Sequence, residues 1–200
     1  MKWVVATGNP GKAEELVRLL GVPRAQVATL RELELPSPPE EAPTFVENAL
    51  TKARHAAQAS GRIAVADDSG LAVEALGGEP GVRSARFAGD EAGDEDNNRL
   101  LVERLEATGP GPWAAVFHCV AVCLRAGDDP APVLAHGRWH GRIVPAARGD
   151  RGFGYDPLFE DPELGRTAAE LAAGEKDARS HRGRAMKELE RRIREERIGA

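Results

Sequence analysis

Apolar positions fall into strand-like runs and helix-like stripes along the chain. Lys2-Trp3-Val4-Val5-Ala6-Thr7 reads as a buried strand, and Gly8-Asn9-Pro10-Gly11 breaks it before a 3.6-residue periodicity predicts a helix over 12–20. The stretch 36–43, PSPPEEAP, has four prolines in eight residues and predicts an extended loop. Thr44 then caps a predicted helix to about residue 59, with Glu47 at capping-box spacing. Ile63-Ala64-Val65-Ala66 predicts a second buried strand ending on Asp67-Asp68-Ser69-Gly70, followed by a glycine-rich loop over 77–89. A helix is predicted over 94–108. The runs 113–124 and 133–144 predict two or three further strands, broken at Gly127-Asp128-Asp129-Pro130 and near Gly141. The last predicted helix, 181–197, carries Met186, Leu189, Ile193 and Arg197 as its inward stripe, and its Glu/Arg-rich remainder reads as a solvated face.

This mixed order of strands and helices predicts an α/β fold: an elongated mixed β-sheet flanked by helices, with two lobes around a central substrate cleft. Residues 1–200 are expected to form a single domain, since 42% hydrophobic content in 200 residues is enough for a core without disulfides or structural metals. The two cysteines, Cys119 and Cys123, are four positions apart on a predicted strand. That offset separates them by about 13 Å, too far for a mutual disulfide, and they read as core residues. A net charge of −5 argues against sequence-independent nucleic-acid binding, whereas a small anionic ligand needs only a local nest of cations. No signal-peptide pattern or long apolar run is present in the sequence, so a cytoplasmic protein without a membrane partner is expected.

Several segments carry residues that packing alone does not require. Thr7-Gly8-Asn9-Pro10-Gly11-Lys12 joins a strand to a helix and can aim backbone N–H groups, a helix dipole and the Lys12 charge at phosphate oxygens. An ordinary strand-to-helix turn fits the same residues, and the spacing is not that of a P-loop. Asn48, Lys52 and His55 share one face of the predicted helix. Asp67 and Asp68 are consecutive acids at the end of an apolar strand, where burial is expensive. Strand alternation sends them to opposite sides, so one can organise the backbone while the other binds a hard cation or takes a proton from water. Glu40 and Glu41 both offer a second carboxylate. In the loop 149–157, Phe153 or Tyr155 can stack on a base, and Asp156 can bind a sugar, a base edge or a cation. Lys176, His181 and Arg182 add donors just before and at the start of the last helix, with Lys176 able to cover an aromatic plane.

Taken together these segments resemble the inosine triphosphate pyrophosphatase family, which acts on non-standard purine nucleoside triphosphates. The resemblance rests on TGNPGK at 7–12, TFVENALTKA at 44–53, ADDSGLAVEALGG at 66–78, PGVRSARFAG at 80–89, GFGYDPLF at 152–159, TAAEL at 167–171 and EKDARSHR at 175–182. It implies that Thr7, Gly8, Asn9, Pro10, Gly11 and Lys12 hold the triphosphate, with Lys52 as a second cation. It implies Asp68 as proton acceptor and magnesium ligand, Glu40 as the other acidic metal residue, and Ser69 as a substrate contact. Phe153, Gly154, Tyr155, Asp156, Lys176, His181 and Arg182 match the nucleoside-binding positions. Arg83 stands where many relatives have tyrosine, and Asp177 lies where relatives vary.

The implied activity is magnesium-dependent hydrolysis of ITP, dITP and XTP to the monophosphate and pyrophosphate, by a homodimer. Donors from His181 and Arg182 to the 6-carbonyl would favour hypoxanthine and xanthine over adenine, which presents an amino group there. Guanine shares that carbonyl, so its rejection falls on its 2-amino group. Two rival readings are a hydrolase of other modified nucleotides and a sensor that binds nucleotide without cutting it.

Overall fold

The computed structural model describes residues 2–199, so positions 1 and 200 of the expected 1–200 domain lie outside the described residues. Among the described residues, seven strands are ordered β2-β1-β3-β4-β5-β6-β7 in one open sheet. They are β1 (Trp3–Val5), β2 (Val27–Thr29), β3 (Ile63–Val73), β4 (Trp113–Leu124), β5 (Val133–Ile143), β6 (Phe159–Asp161) and β7 (Arg166–Thr167). The helices are α1 (Pro10–Leu19), α2 (Phe45–Ser60), α3 (Asp94–Glu106), α4 (Ala173–Arg179) and α5 (His181–Glu195). Strand β1 pairs in parallel with β2 and β3, whereas β6 pairs antiparallel with β5 and β7, so the sheet is mixed as expected.

The chain forms two compact units. The first comprises the chain up to Asp68, Cys119–Gly137, and the chain from His181 on; the second comprises Ser69–His118 and Arg138–Ser180. In the first unit, side-chain alternation divides the core into two layers. Val4, Ala6, Ala64 and Ala66 pack with Ala49, Ala53, Ala56 and Ala57 of α2. On the other side, Trp3, Val5 and Val65 pack with Leu16 and Leu20 and with Ala185, Met186, Leu189 and Ile193 of α5. In the second unit, Phe117, Trp139 and Phe159 form an aromatic cluster with ring centroids 4.5 and 4.9 Å apart.

Helix α2 starts where its cap residue predicts, with Glu47 N donating to Thr44 Oγ1 at 3.3 Å. The Glu47 carboxylate accepts from the Thr44 hydroxyl at 2.5 Å, in place of the backbone N–H that a capping box uses. Several boundaries differ from expectation. Strand β3 does not end at the acids but continues to Val73, because Asp67 and Asp68 both find partners and Leu71 and Val73 resume the apolar pattern. Strand β5 is unbroken at Gly141, where a Cβ would lie 2.4 Å from the Phe159 ring; the glycine permits close packing rather than a turn. Helix α5 stops at Glu195, and exposed Arg197 (φ 53°) leaves the inward stripe to Ile198. The glycine-rich stretch 77–89 contains a 3-10 helix, Gly81–Arg86.

Both cysteines are buried in β4, and burial pushes Cys119 well above the usual thiol range and Cys123 up to about 12. Native protein is expected to resist iodoacetamide at pH 8 and to label at both sites in urea, as read by intact mass. In the β4–β5 turn, buried Asp129 accepts from Arg125 N at 2.9 Å, Arg125 Nη1 at 3.0 Å and Ala131 N at 3.0 Å. Burial opposes its ionisation, but these bonds outweigh burial and hold the carboxyl below its ordinary value. A depressed folded-state value stabilises the fold above the usual aspartate pKa of about 3.9, and that contribution is lost as pH falls through the folded value. Asp129→Asn is therefore expected to cost about 1–3 kcal/mol at pH 7, and the gap to the parent should narrow at pH 3 in urea melts.

Candidate functional site

Strand β3 presents its two acids to opposite faces of the sheet, and each meets a different cation. Asp67 is fully buried, and its Oδ2 accepts from Arg182 Nε at 3.1 Å and from Cys119 Sγ at 3.6 Å. Arg182 Nη1 also donates to Glu15 Oε2 of α1 at 2.5 Å. Burial works against the Asp67 charge, yet Arg182, Lys12 and Lys52 outweigh it and hold the carboxyl far below its usual range. Arg182 is driven the other way: burial lowers it, and Asp67 and Glu15 more than compensate. Close approach of β5 to the start of α5 fixes this corner, since a Cβ on Gly137 would sit 2.0 Å from the His181 carbonyl oxygen.

Asp68, 3% exposed, faces α2. Its Oδ1 lies 3.0 Å from Lys52 Nζ, and its Oδ2 accepts from Asn48 Nδ2 at 3.2 Å. Lys52 Nζ lies 3.0 Å from Glu40 Oε2 as well, so one buried ammonium joins two carboxylates. Burial pushes the Asp68 carboxyl up to about 6, Lys52 and Lys12 oppose that shift, and the neighbouring Glu40 charge adds to it. Glu40 is itself disfavoured as an anion by burial, but Lys52 and Lys12 pull it below the ordinary value. Lys52 stays firmly charged despite burial, through Asp68, Asp67 and Glu40. Of the two glutamates in the proline-rich loop, Glu40 is beside Lys52 and Glu41 is exposed.

The turn at 7–12 is held by its own side chains. Asn9 caps α1 by accepting from Lys12 N at 3.0 Å, Asn9 N donates to Thr7 Oγ1 at 3.2 Å, and Pro10 occupies the first helical turn. Gly8 lies at the turn's surface, Gly11 and Lys12 are half-buried, and the Lys12 charge acts on Asp67, Asp68 and Glu40 alike. His55 does not join the acids; its Nε2 donates to the Pro36 carbonyl at 2.9 Å.

The remaining candidates lie in the second unit, apart from His181, which is buried at the start of α5. Ser69 is half-buried on β3. Asp156 accepts from Lys176 Nζ at 2.6 Å and from Phe153 N at 3.0 Å, and Lys176 Nζ stands 5.0 Å from the Phe153 ring centroid. Gly154 is gripped by α3, with its N–H donating to Asp94 at 2.6 Å and its carbonyl accepting from Asn98 at 2.9 Å. Tyr155 differs from expectation: its ring is core, and its hydroxyl donates to the Ser84 carbonyl at 2.8 Å. Of the two aromatic side chains in this loop, Phe153 is the one left half-buried.

The acid pair and its cations sit on segments whose similarity to known proteins extends along most of the chain. The family model described as the Ham1 family matches residues 3–192. The chain belongs to the Ham1 family. A dITP/XTP pyrophosphatase of Halorhodospira halophila is 60% identical over 94% of this chain and 95% of its own length. One of Aromatoleum aromaticum is 54% identical, covering 95% of each chain. Among solved structures, a HAM1 protein from Coxiella burnetii aligns with a TM-score of 0.86 at 44% identity, over 96% of this chain and 98% of that one. The Staphylococcus aureus Ham1 protein aligns with a TM-score of 0.81 at 34% identity, over 98% and 100%. These Ham1 structures share the α/β fold with its mixed sheet.

Three features of this Ham1-family chain escape a reading of sequence: the Glu15–Arg182–Asp67 chain, the Asp94 and Asn98 grip on Gly154, and the contacts of Asn48. For Asn48 a signal existed, because it lies one helical turn before Lys52 on the same face. Arg182→Ala is expected to cost about 3–5 kcal/mol in urea melts by removing the buried cation that Asp67 and Glu15 share. Arg182→Met combined with Asp67→Asn and Glu15→Gln should lose much less.

Proposed function

We propose that this protein is a nucleoside triphosphate pyrophosphohydrolase that cuts ITP, dITP and XTP between the alpha and beta phosphates, removing them from the nucleotide pool. The observation that carries the reading is the buried Lys52 ammonium shared by Asp68 and Glu40, with the Asp68 carboxyl raised to about 6. A carboxyl near that value is ionised at neutral pH and still basic enough to take a proton from water. Lys12 and Lys52 neutralise phosphate charge, and the N-terminus of α1 adds its dipole.

Two adjacent carboxylates suit magnesium, which commonly takes one or two from a protein and completes its shell with water and substrate phosphate. Glu40 and Asp68 would hold it. Bound there, magnesium supplies Lewis-acid neutralisation of the phosphate oxygens. Asp68 accepts the proton of the water that attacks the alpha phosphorus, and pyrophosphate leaves. Thr7 to Lys12, Lys52 and Ser69 take the triphosphate side of the substrate. Phe153 stacks on the base, with Gly154, Tyr155, Asp156 and Lys176 shaping that end. His181 and Arg182 donate to the 6-carbonyl, with Nε and Nη1 of Arg182 also serving Asp67 and Glu15.

The protein is further proposed to be a cytoplasmic homodimer, with twice the chain mass in light scattering; among the described residues no helix is long and apolar enough to cross a membrane. Product analysis with ITP, XTP, ATP and GTP, with and without magnesium, tests the chemistry. Pyrophosphate from ITP and XTP supports it; orthophosphate, or binding without cleavage, rejects it. Comparable turnover of ATP and ITP would reject the carbonyl contact. Asp68→Asn should lower kcat about 100- to 10,000-fold with the fold retained, and normal turnover would remove Asp68 from its role.

A further inference from the structure

The loop that carries Glu40 is rich in proline, so few of its backbone groups can donate hydrogen bonds. Two helix-borne side chains tie it down. At one end His55 donates to the Pro36 carbonyl. At the other, Asn48 makes a reciprocal pair with Ala42: Ala42 N donates to Asn48 Oδ1 at 3.0 Å, and Asn48 Nδ2 donates to the Ala42 carbonyl at 3.3 Å. The Ala42 N–H is only a donor, which fixes the orientation of the amide. Nδ2 must then face acceptors, and it meets two: the Ala42 carbonyl and Asp68 Oδ2 at 3.2 Å. Asn48 is 2% exposed and lies one turn before Lys52 on α2.

We propose that Asn48 is a positioning residue for the reaction: one amide, anchored on the backbone two residues past Glu40 and on Asp68, sets the separation of the two carboxylates. This rests on the function proposed above. Lys52 supplies the charge that draws the acids together, and Glu40 and Asp68 also hydrogen-bond to each other, but neither contact ties the loop backbone to the site. The planar amide does, because its three hydrogen bonds are directional and its side chain is short. Leucine has nearly the same size and no hydrogen bonds, and alanine removes the side chain beyond Cβ.

Asn48→Leu and Asn48→Ala are compared with the parent and with Thr44→Ala, which loosens the start of α2 without touching the acids. Three readouts are taken: kcat and KM for ITP, Mn²⁺ binding without nucleotide by loss of the free-ion EPR signal, and urea stability. Expected is a fall in kcat of about 10- to 100-fold with KM changed little, and Mn²⁺ binding weakened by a similar factor. Thr44→Ala should lose stability and keep both kcat and Mn²⁺ affinity. A folded Asn48 variant with kcat and Mn²⁺ affinity within twofold of the parent overturns the proposal, as does an equal kcat loss in Thr44→Ala at equal stability. If the parent releases no pyrophosphate from ITP, the proposed function fails, and the Mn²⁺ titration still decides the role of Asn48. A parent that neither cleaves ITP nor binds Mn²⁺ overturns both.

Discussion

Two consecutive ionised side chains inside a sheet are tolerable only if each has its own cation, and this requirement organises the first unit. Asp67 is met by Arg182 from α5, which also binds Glu15 of α1. Asp68 is met by Lys52 from α2. The helices flanking the sheet are thus bound to β3 electrostatically as well as by apolar contact. A buried ion pair is a poor source of net stability, because desolvation cancels most of the attraction, so its value here lies in fixing positions.

The two acids differ in kind because their surroundings differ. Around Asp67, cation outweighs burial, and the carboxylate is a permanent anion. Around Asp68, burial and a second carboxylate outweigh the lysines, and the group is left near the pH at which it exchanges protons. One dipeptide therefore yields a fixed charge and a titratable one, with the assignment made by the facing helices.

What the sequence displayed was mostly local. The long strands β4 and β5, the helices α2 and α3 and the split of Asp67 from Asp68 follow from periodicity, caps and alternation, which act over a few residues. Strands β2, β6 and β7 are two or three residues long, too short for a period to register. Arg182 and Asp67 are 115 positions apart, and no local rule pairs them. The same holds for Tyr155, whose loop surroundings suggested a ligand while its ring was claimed by the core of the second unit and its hydroxyl by the Ser84 carbonyl. Glu40 and Glu41 look alike in composition, and only the path of the loop over Lys52 separates them.

Strand β3 is aligned on β1 with Trp3 opposite Ile63 and Val5 opposite Val65. Because neighbouring side chains point to opposite faces, sliding β3 by one position would deliver each acid to the other's cation. Alanines would then face the α1 and α5 layer, and Val65 would be driven into the close-set alanines of α2. The packing of aliphatic side chains thus proofreads the placement of charge, and a single inserted or deleted residue ahead of Ile63 would be punished first as a misfit of volume, well before any reaction could report it.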